Sequence, residues 1–316
     1  MTLASAQRQA FHRLQHFATA DEPLAPHTTY KLGGPAAVFA SPRDENELAL
    51  VGEVVRDTGL PVLALGRGSN MLVADAGFEG IVVSLAAMGE WIEFHDAVVH
   101  AAAAVALPVL ARRCSATGLV GFEWAVGVPG SIGGAVRMNA GGHGSDMAAV
   151  LVGAHVLDLR RGTRGWVPVA SLGLRFRGSL LADHQVVLDA RIQLTHGEVN
   201  SSEAALAEIV RWRREHQPGG QNAGSVFVNP IPGELPAAVL IDQLGLRGYR
   251  VGGAVVSEKH ANFIQAETGA TAADVRAVMA HVRSMVREHA GFDLRSEVRL
   301  VGFDDVPGDD EEGVRW

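Results

Sequence analysis

Between Val126 and Met147 the chain reads Val-Gly-Val-Pro-Gly-Ser-Ile-Gly-Gly-Ala-Val-Arg-Met-Asn-Ala-Gly-Gly-His-Gly-Ser-Asp-Met, nearly uncharged and apolar enough to be buried. Seven of these 22 residues are glycine. Glycine loses more backbone entropy on folding than any other residue, so this density needs a cause. A backbone that passes close to a ligand and turns bare amides toward it supplies one. A tight crossing of two backbones is the plain alternative, but Ser131, Asn139 and Ser145 beside the glycines exceed what packing needs. A second cluster, Gly66-Arg67-Gly68-Ser69-Asn70, follows the apolar run Pro61-Val62-Leu63-Ala64-Leu65. Alone it reads equally as an ordinary tight turn or as an amide nest for a pyrophosphate. Two such loops in one chain point to a large phosphate-bearing cofactor held from two sides.

Several familiar chemistries are excluded by spacing. The 66–70 loop lacks the Gly-Lys-Ser/Thr ending of a Walker loop. It is not a Rossmann fingerprint, because the third glycine would fall at Met71 and the following residues read as loop rather than helix. There is no Gly-x-Ser-x-Gly elbow and no His-Glu-x-x-His, so neither a serine hydrolase nor a zincin is indicated. His12 and His16 lie four apart on a possible helix without a third ligand nearby, the pattern of an amphipathic surface helix. No metal site is expected. Cys114 sits in a helical pattern beside Arg112 and Arg113 and reads as a buried small apolar residue. Three further residues could do chemistry but each has a dull account. Ser225 lies in the constrained turn Asn222–Pro230, Arg177 in Leu174–Ser179, and Glu297 opens the last apolar strand. Sequence physics alone does not join them.

The elements that must position these loops alternate between helical and strand-like patterns, which predicts a mixed α/β protein. A helix is predicted over 43–58, with Pro42 at its entry, a stripe of Leu48, Val51 and Val55, and Gly59 to stop it. Others are predicted over 107–117, 203–216, 235–244 and 272–289, the last opened by Thr271 and Asp274 as a pair resembling a capping box. Val275, Val278, Met279, Val282, Met285 and Val286 form its core stripe. Strands are predicted near 61–65, 80–85, 150–157, 186–194 and 297–301. The polar stretch Thr195–Ser202 reads as a domain boundary.

The totals fit a folded protein of two or three lobes: 316 residues, 47% hydrophobic and 20% charged. The net charge of −8 is concentrated in the last 14 residues, where six acids stand, leaving a near-neutral body that suits neither nucleic acid nor an anionic membrane. The acidic end reads as a solvated tail. A lone cysteine, no signal-like N-terminus and no apolar run long enough to span a bilayer point to the cytoplasm.

The motifs, taken in order, resemble the UDP-N-acetylenolpyruvoylglucosamine reductases of bacterial cell-wall synthesis. They include Thr28-Thr29-Tyr30-Lys31-Leu32-Gly33-Gly34-Pro35, Gly66-Arg67-Gly68-Ser69-Asn70-Met71-Leu72 and Gly127-Val128-Pro129-Gly130-Ser131-Ile132-Gly133-Gly134-Ala135. Met138-Asn139-Ala140-Gly141, Phe176-Arg177-Gly178-Ser179, Gly224-Ser225-Val226-Phe227-Val228-Asn229-Pro230, His260-Ala261-Asn262-Phe263-Ile264 and Ser296-Glu297-Val298-Arg299 follow. Only residues 1–27 and the tail lie outside the resemblance.

The resemblance implies an α+β chain with a vanillyl-alcohol-oxidase-type FAD-binding fold. Two lobes would occupy 1–85 and 86–198, a substrate domain 199–303 and the acidic tail 304–316. It implies non-covalent FAD against Gly66, Arg67, Gly68, Ser69, Asn70, Gly127, Pro129, Gly130, Ser131, Gly133, Gly134, Asn139 and Gly141. NADPH is the implied hydride source and UDP-N-acetylglucosamine enolpyruvate the substrate, reduced to UDP-N-acetylmuramate for peptidoglycan. By position Ser225 matches the proton donor, Arg177 the arginine that stabilises the enolate carboxylate, and Glu297 the glutamate on that carboxylate's other side. The residue types suit these roles. A guanidinium fork fits a carboxylate in which charge grows, and a glutamate helps there only when protonated, which burial favours. The family often has Tyr at Phe176, Lys at Val228 and a tyrosine at His143. No tyrosine lies between 178 and 217, so the chain resembles the shorter subgroup lacking a tyrosine-bearing substrate loop. The alternatives are another flavoprotein oxidoreductase of this fold or a non-catalytic nucleotide-sugar binding protein.

Overall fold

The computed structural model describes residues 2–303, so the acidic tail expected over 304–316 lies outside the described residues. Four hydrophobic clusters hold the chain in three bodies.

The first body contains α1 (Leu3–Leu14), β1 (Ala18–Pro23), β2 (Pro35–Ala40), α2 (Glu45–Thr58), β3 (Val62–Leu65), β4 (Met71–Val73) and β5 (Phe78–Ser84). Its sheet runs β1-β2-β5-β3, with β2 and β3 parallel to β5. The Asp44 carboxylate accepts from the N–H groups of Asn46 and Glu47 to start α2, and Gly59 ends it at φ +69°. Leu48, Val51, Val54 and Val55 of α2 pack on Val38, Val62 and Ile81 of the sheet. Because α1 ends at Leu14, His16 lies beyond it, and the expected His12/His16 helix face does not form.

The second body contains β6 (Ile92–His95), β7 (Val98–Ala102), α3 (Leu107–Ala116), β8 (Leu119–Val120), α4 (Ile132–Met138), β9 (Gly141–Gly142), β10 (Ser145–Asp146), β11 (Leu151–Asp158), β12 (Thr163–Pro168), β13 (Gln185–Gln193), β14 (Thr195–His196) and α5 (Val199–His216). Its five-stranded sheet runs β12-β11-β13-β7-β6, antiparallel throughout. Strand alternation turns Val99, Ala101, Ala154, Val156, Ala190 and Ile192 onto one core with Leu107, Leu110 and Ile132. Helix α5 packs Leu206 and Ile209 into this same core. The change of core therefore comes after His216 rather than at 198/199. The polar stretch Thr195–Ser202 hides β14, which pairs with β8, and the first turn of α5, which begins four residues before the expected start. Inside the glycine-rich segment, α4 is a helix that its composition does not announce.

The third body contains α6 (Ala237–Gln243), β15 (Arg250–Val251), β16 (Ala254–Val256), β17 (Ile264–Ala266), α7 (Ala272–Ala290) and β18 (Arg299–Val301). Thr271 and Asp274 form the expected capping box at α7, and its stripe Val275, Val278, Met279, Val282 and Val286 is buried core. β18 is shorter than the expected strand 297–301, and it does not join the third sheet. It runs parallel to β4, with Arg299 opposite Met71 and Val301 opposite Val73, so the chain returns to the first body. Glu297 thereby sits between the third body and the first glycine loop.

Candidate functional site

Two cavities of about 670 and 680 Å³ lie side by side, and both are lined by Gly66, Arg67, Ser69, Pro129, Ser131 and Gly134. The two glycine loops are thus in contact and form the wall between them. A Cβ on Gly66 would stand 2.5 Å from Ser131 Oγ, and one on Gly68, at φ +59°, would stand 2.1 Å from the His27 carbonyl oxygen. At Gly68 the neighbour is backbone and only glycine fits, whereas at Gly66 the Ser131 side chain would have to give way. The carbonyls of Gly68, Asn70 and Gly130 accept from the N–H groups of Thr29, Arg299 and Leu107. Among the described residues, the N–H groups of Gly66–Asn70, Gly130 and Ser131 donate to no backbone carbonyl. Free donors beside a cleft of this size form a cradle for an anionic dinucleotide.

The 670 Å³ cavity also collects Arg177, Ser225 and Glu297, the three residues that sequence physics could not join. Arg177 Nε lies 2.8 Å from Glu297 Oε1, and Arg177 Nη2 donates to the Gly141 carbonyl at 2.9 Å. The backbone of Arg177 is held at φ +56°, a strained conformation for a side-chain-bearing residue. Its guanidinium lies 4.8 Å from the Phe176 ring centroid, so the phenylalanine packs as a cation–π partner. Glu297 is pushed above the ordinary carboxyl range by burial, and the neighbouring Arg177 only partly opposes this.

The backbone around these groups is clamped by two asparagines. Asn70 Nδ2 donates to the Glu297 carbonyl at 2.9 Å. Asn262, which is buried, accepts from the Phe227 N–H at 2.9 Å and donates to the Phe227 carbonyl at 2.8 Å, while its own carbonyl accepts from Val226 N–H. The Glu297 N–H then donates to the Val226 carbonyl at 2.8 Å, next to Ser225. Gly224, at φ +79°, makes the turn that presents the serine.

Not every expected cofactor contact lies at the surface of the cleft. Asn139 is buried, caps α4 at φ +42° and is engaged by protein on every side. It donates to Asp146 Oδ2 and the Arg175 carbonyl, and accepts from the Ala148 N–H. It positions the Arg175–Arg177 loop. The Gly133 N–H is committed to the Ala103 carbonyl at 2.9 Å, so Gly133 serves close packing as well as lining the 680 Å³ cavity. Gly127, Gly130 and Gly141 do line the 670 Å³ cavity. Val228 is buried.

Sequence reasoning missed Trp212 and Arg213, which α5 brings to the same cavity. Burial lowers the pKa of Arg213, and no ion pair is made to it among the described residues. In the run Arg211-Trp212-Arg213-Arg214 it looks like a solvated basic face. His143 meets Trp212 edge-on at 5.1 Å and is held by burial below the ordinary histidine range. Cys114 is buried as expected, with its thiol pushed up to about 12 by desolvation. No helix among the described residues is long and apolar enough to cross a membrane.

A family model described as the C-terminal domain of UDP-N-acetylenolpyruvoylglucosamine reductase matches residues 216–301, and one described as an FAD binding domain matches 35–167. The UDP-N-acetylenolpyruvoylglucosamine reductase of Heliobacterium modesticaldum is 42% identical over 287 residues, 89% of this chain and 90% of its own. That of Bacillus subtilis is 39% identical over 286 residues, 90% of this chain and 93% of its own. The crystal structure of UDP-N-acetylenolpyruvylglucosamine reductase from Thermus caldophilus matches with a TM-score of 0.76 at 31% identity, over 90% of this chain and 98% of that one.

Proposed function

Since the chain belongs to the UDP-N-acetylenolpyruvoylglucosamine reductase family, we propose that its cleft binds non-covalent FAD across the two glycine loops and reduces UDP-N-acetylglucosamine enolpyruvate to UDP-N-acetylmuramate with NADPH. The observation that carries this reading is the Arg177–Glu297 pair lining one cavity with Ser225, beside a wall of free amides. FAD, when bound, supplies a two-electron hydride relay from NADPH to the substrate's vinyl carbon.

The chain's own residues handle charge and the proton. Arg177, with Nε on Glu297 and Nη2 on Gly141, keeps further N–H donors for the substrate carboxylate, where negative charge grows as the double bond accepts hydride. A protonated Glu297 accepts from Arg177 through Oε1 and donates its O–H to the other side of that carboxylate. The Ser225 hydroxyl gives its proton to the α carbon, so hydride and proton add across the double bond. A serine hydroxyl is a weak acid, which is why it must be fixed in place, and the Asn262 clamp does this through the neighbouring peptides. Arg213 offers a cation to a substrate or cofactor phosphate, consistent with its lacking an acidic partner among the described residues. The cytoplasm, where NADPH and nucleotide-sugars reside, is the location that goes with this reading.

The test is to combine purified chain, FAD, NADPH and the enol ether anaerobically. NADPH consumption that matches formation of the reduced sugar nucleotide is expected. No oxidation of NADPH ends the proposal, and rapid oxygen consumption that ignores NADPH replaces it with an oxidase of the same fold.

A further inference from the structure

The second sheet has a face turned away from its core, and that face carries a second polar cluster. His100 on β7, His155 on β11 and Asp189 on β13 occupy three neighbouring strands, with β13 in the middle. The ladder places His155 directly opposite Asp189, and His100 opposite both Glu93 and Arg191. His100 Nε2 lies 2.7 Å from Asp189 Oδ1, and His155 Nδ1 lies 2.8 Å from the same oxygen. One ligand atom from each of the three residues lies within 4.8 Å of the other two. Asp189 is 6% exposed. The two imidazoles supply the polar partners that a carboxylate taken this far from water needs.

We propose that His100 Nε2, His155 Nδ1 and the Asp189 carboxylate bind a divalent transition-metal cation of the zinc class. Two imidazoles and one carboxylate match the donor set that zinc prefers over the all-oxygen sets of calcium and magnesium. Ligands about 2.0–2.2 Å from a tetrahedral ion lie roughly 3.3 Å from one another. The two histidine–aspartate contacts reach that spacing by opening about half an ångström, and the two imidazole nitrogens, within 4.8 Å of one another, settle to the same spacing. The fourth position faces out of the sheet and takes water. Around this set stands a supporting shell. Glu93 Oε2 is 3.8 Å from His100 Nδ1, so a small closure lets it accept from the Nδ1–H once Nε2 is given to the metal. Trp91 and Trp166 stand edge-on to His100 and His155 at 4.7 and 5.1 Å and fix the rings. Arg191, paired opposite His100, is drawn aside over the Trp166 ring at 5.0 Å. The ion would pin the three central strands. Their neighbouring backbone anchors the glycine segment, because the Ala103 N–H donates to Leu188 and the Ala103 carbonyl accepts from Gly133. None of the three residues lines either cavity of the reductase cleft.

The test uses tag-free, FAD-loaded full chain, Zn²⁺ and a chromophoric chelator in competition. One zinc per chain is expected, with affinity falling at least tenfold in His155→Ala and in Asp189→Asn while NADPH oxidation is retained. Asp189→Asn keeps the shape of the site, so loss there reports ligation even if His155→Ala folds poorly. Zinc-edge X-ray absorption of the loaded wild-type chain should show two imidazoles. Absence of stoichiometric zinc, equal binding by both variants, or fewer than two imidazole ligands overturns the proposal.

Discussion

The Nε of Arg177 lies 2.8 Å from Oε1 of Glu297, two residues that belong to different bodies of the fold. The contact sets a competition over one proton: burial favours the neutral carboxyl and the guanidinium favours the carboxylate. Burial prevails, and the Glu297 pKa is raised. A neutral Glu297 can face a negatively charged substrate group, which a carboxylate could not do without repulsion.

This proton has a pH signature. The folded chain binds it more tightly than the unfolded chain does, so the Glu297 contribution to stability is complete below its ordinary value of 4.5 and is lost as pH rises through the raised value. Turnover should fall over the same interval. Glu297→Gln, which stays neutral, should keep part of the activity and flatten that limb of the pH–rate profile. An unchanged limb in the variant would assign it to another group.

Arg177→Lys keeps the charge but loses the fork and the Nε contact with Glu297. Turnover should drop about 10²–10³-fold, as when an oxyanion-stabilising donor is removed. Substrate affinity should change much less, because the interaction matters most where charge has developed. Steady-state kinetics that show equal losses in kcat and affinity would count against the role.

Ser225→Ala should separate the half-reactions. Stopped-flow reduction of the bound flavin by NADPH should be nearly unchanged, while its reoxidation by the enol ether slows. Equal slowing of both steps would remove the proton-donor assignment.

Gly66→Ala brings a methyl within 2.5 Å of Ser131 Oγ and should push the two loops apart. FAD retention through gel filtration, read as the visible-to-protein absorbance ratio, should fall. Adding Ser131→Ala removes that hydroxyl oxygen from the clash and should recover part of it. A double variant no better than the single one would show that the loops do not share the cofactor wall.

Asn262→Ala strips buried partners from Phe227 N–H and C=O. A loss of about 1–3 kcal/mol in denaturant stability is expected for leaving such groups unsatisfied. Turnover should fall further than stability alone explains, since Ser225 and Glu297 hang on the same peptides.

Much of the local structure was legible because it is dictated by neighbours in the chain. The capping box at Thr271 and Asp274, the stop at Gly59, and the apolar stripe of α7 each follow from propensities and periodicity that act over a few residues. The stretch 195–202 reads as a boundary for the same reason: polar composition is local, whereas the docking of Leu206 and Ile209 on the second core is not. Asn139 was read as a cofactor contact because its motif is rich in ligand-type residues. Its three hydrogen bonds to the chain depend on folding that brings Asp146 and the Arg175 loop to it.

By itself the sequence determined the two glycine loops, the element pattern that carries them and, through ordered motifs, the family. Tertiary structure decided what those parts do together. The return of β18 to β4 sets Glu297 against Asn70, the αL turn at Arg177 aims its guanidinium at that carboxyl, and α5 delivers Arg213 to the cleft. Such contacts join residues far apart in the chain, and their cost and benefit arise only when burial removes water from between them.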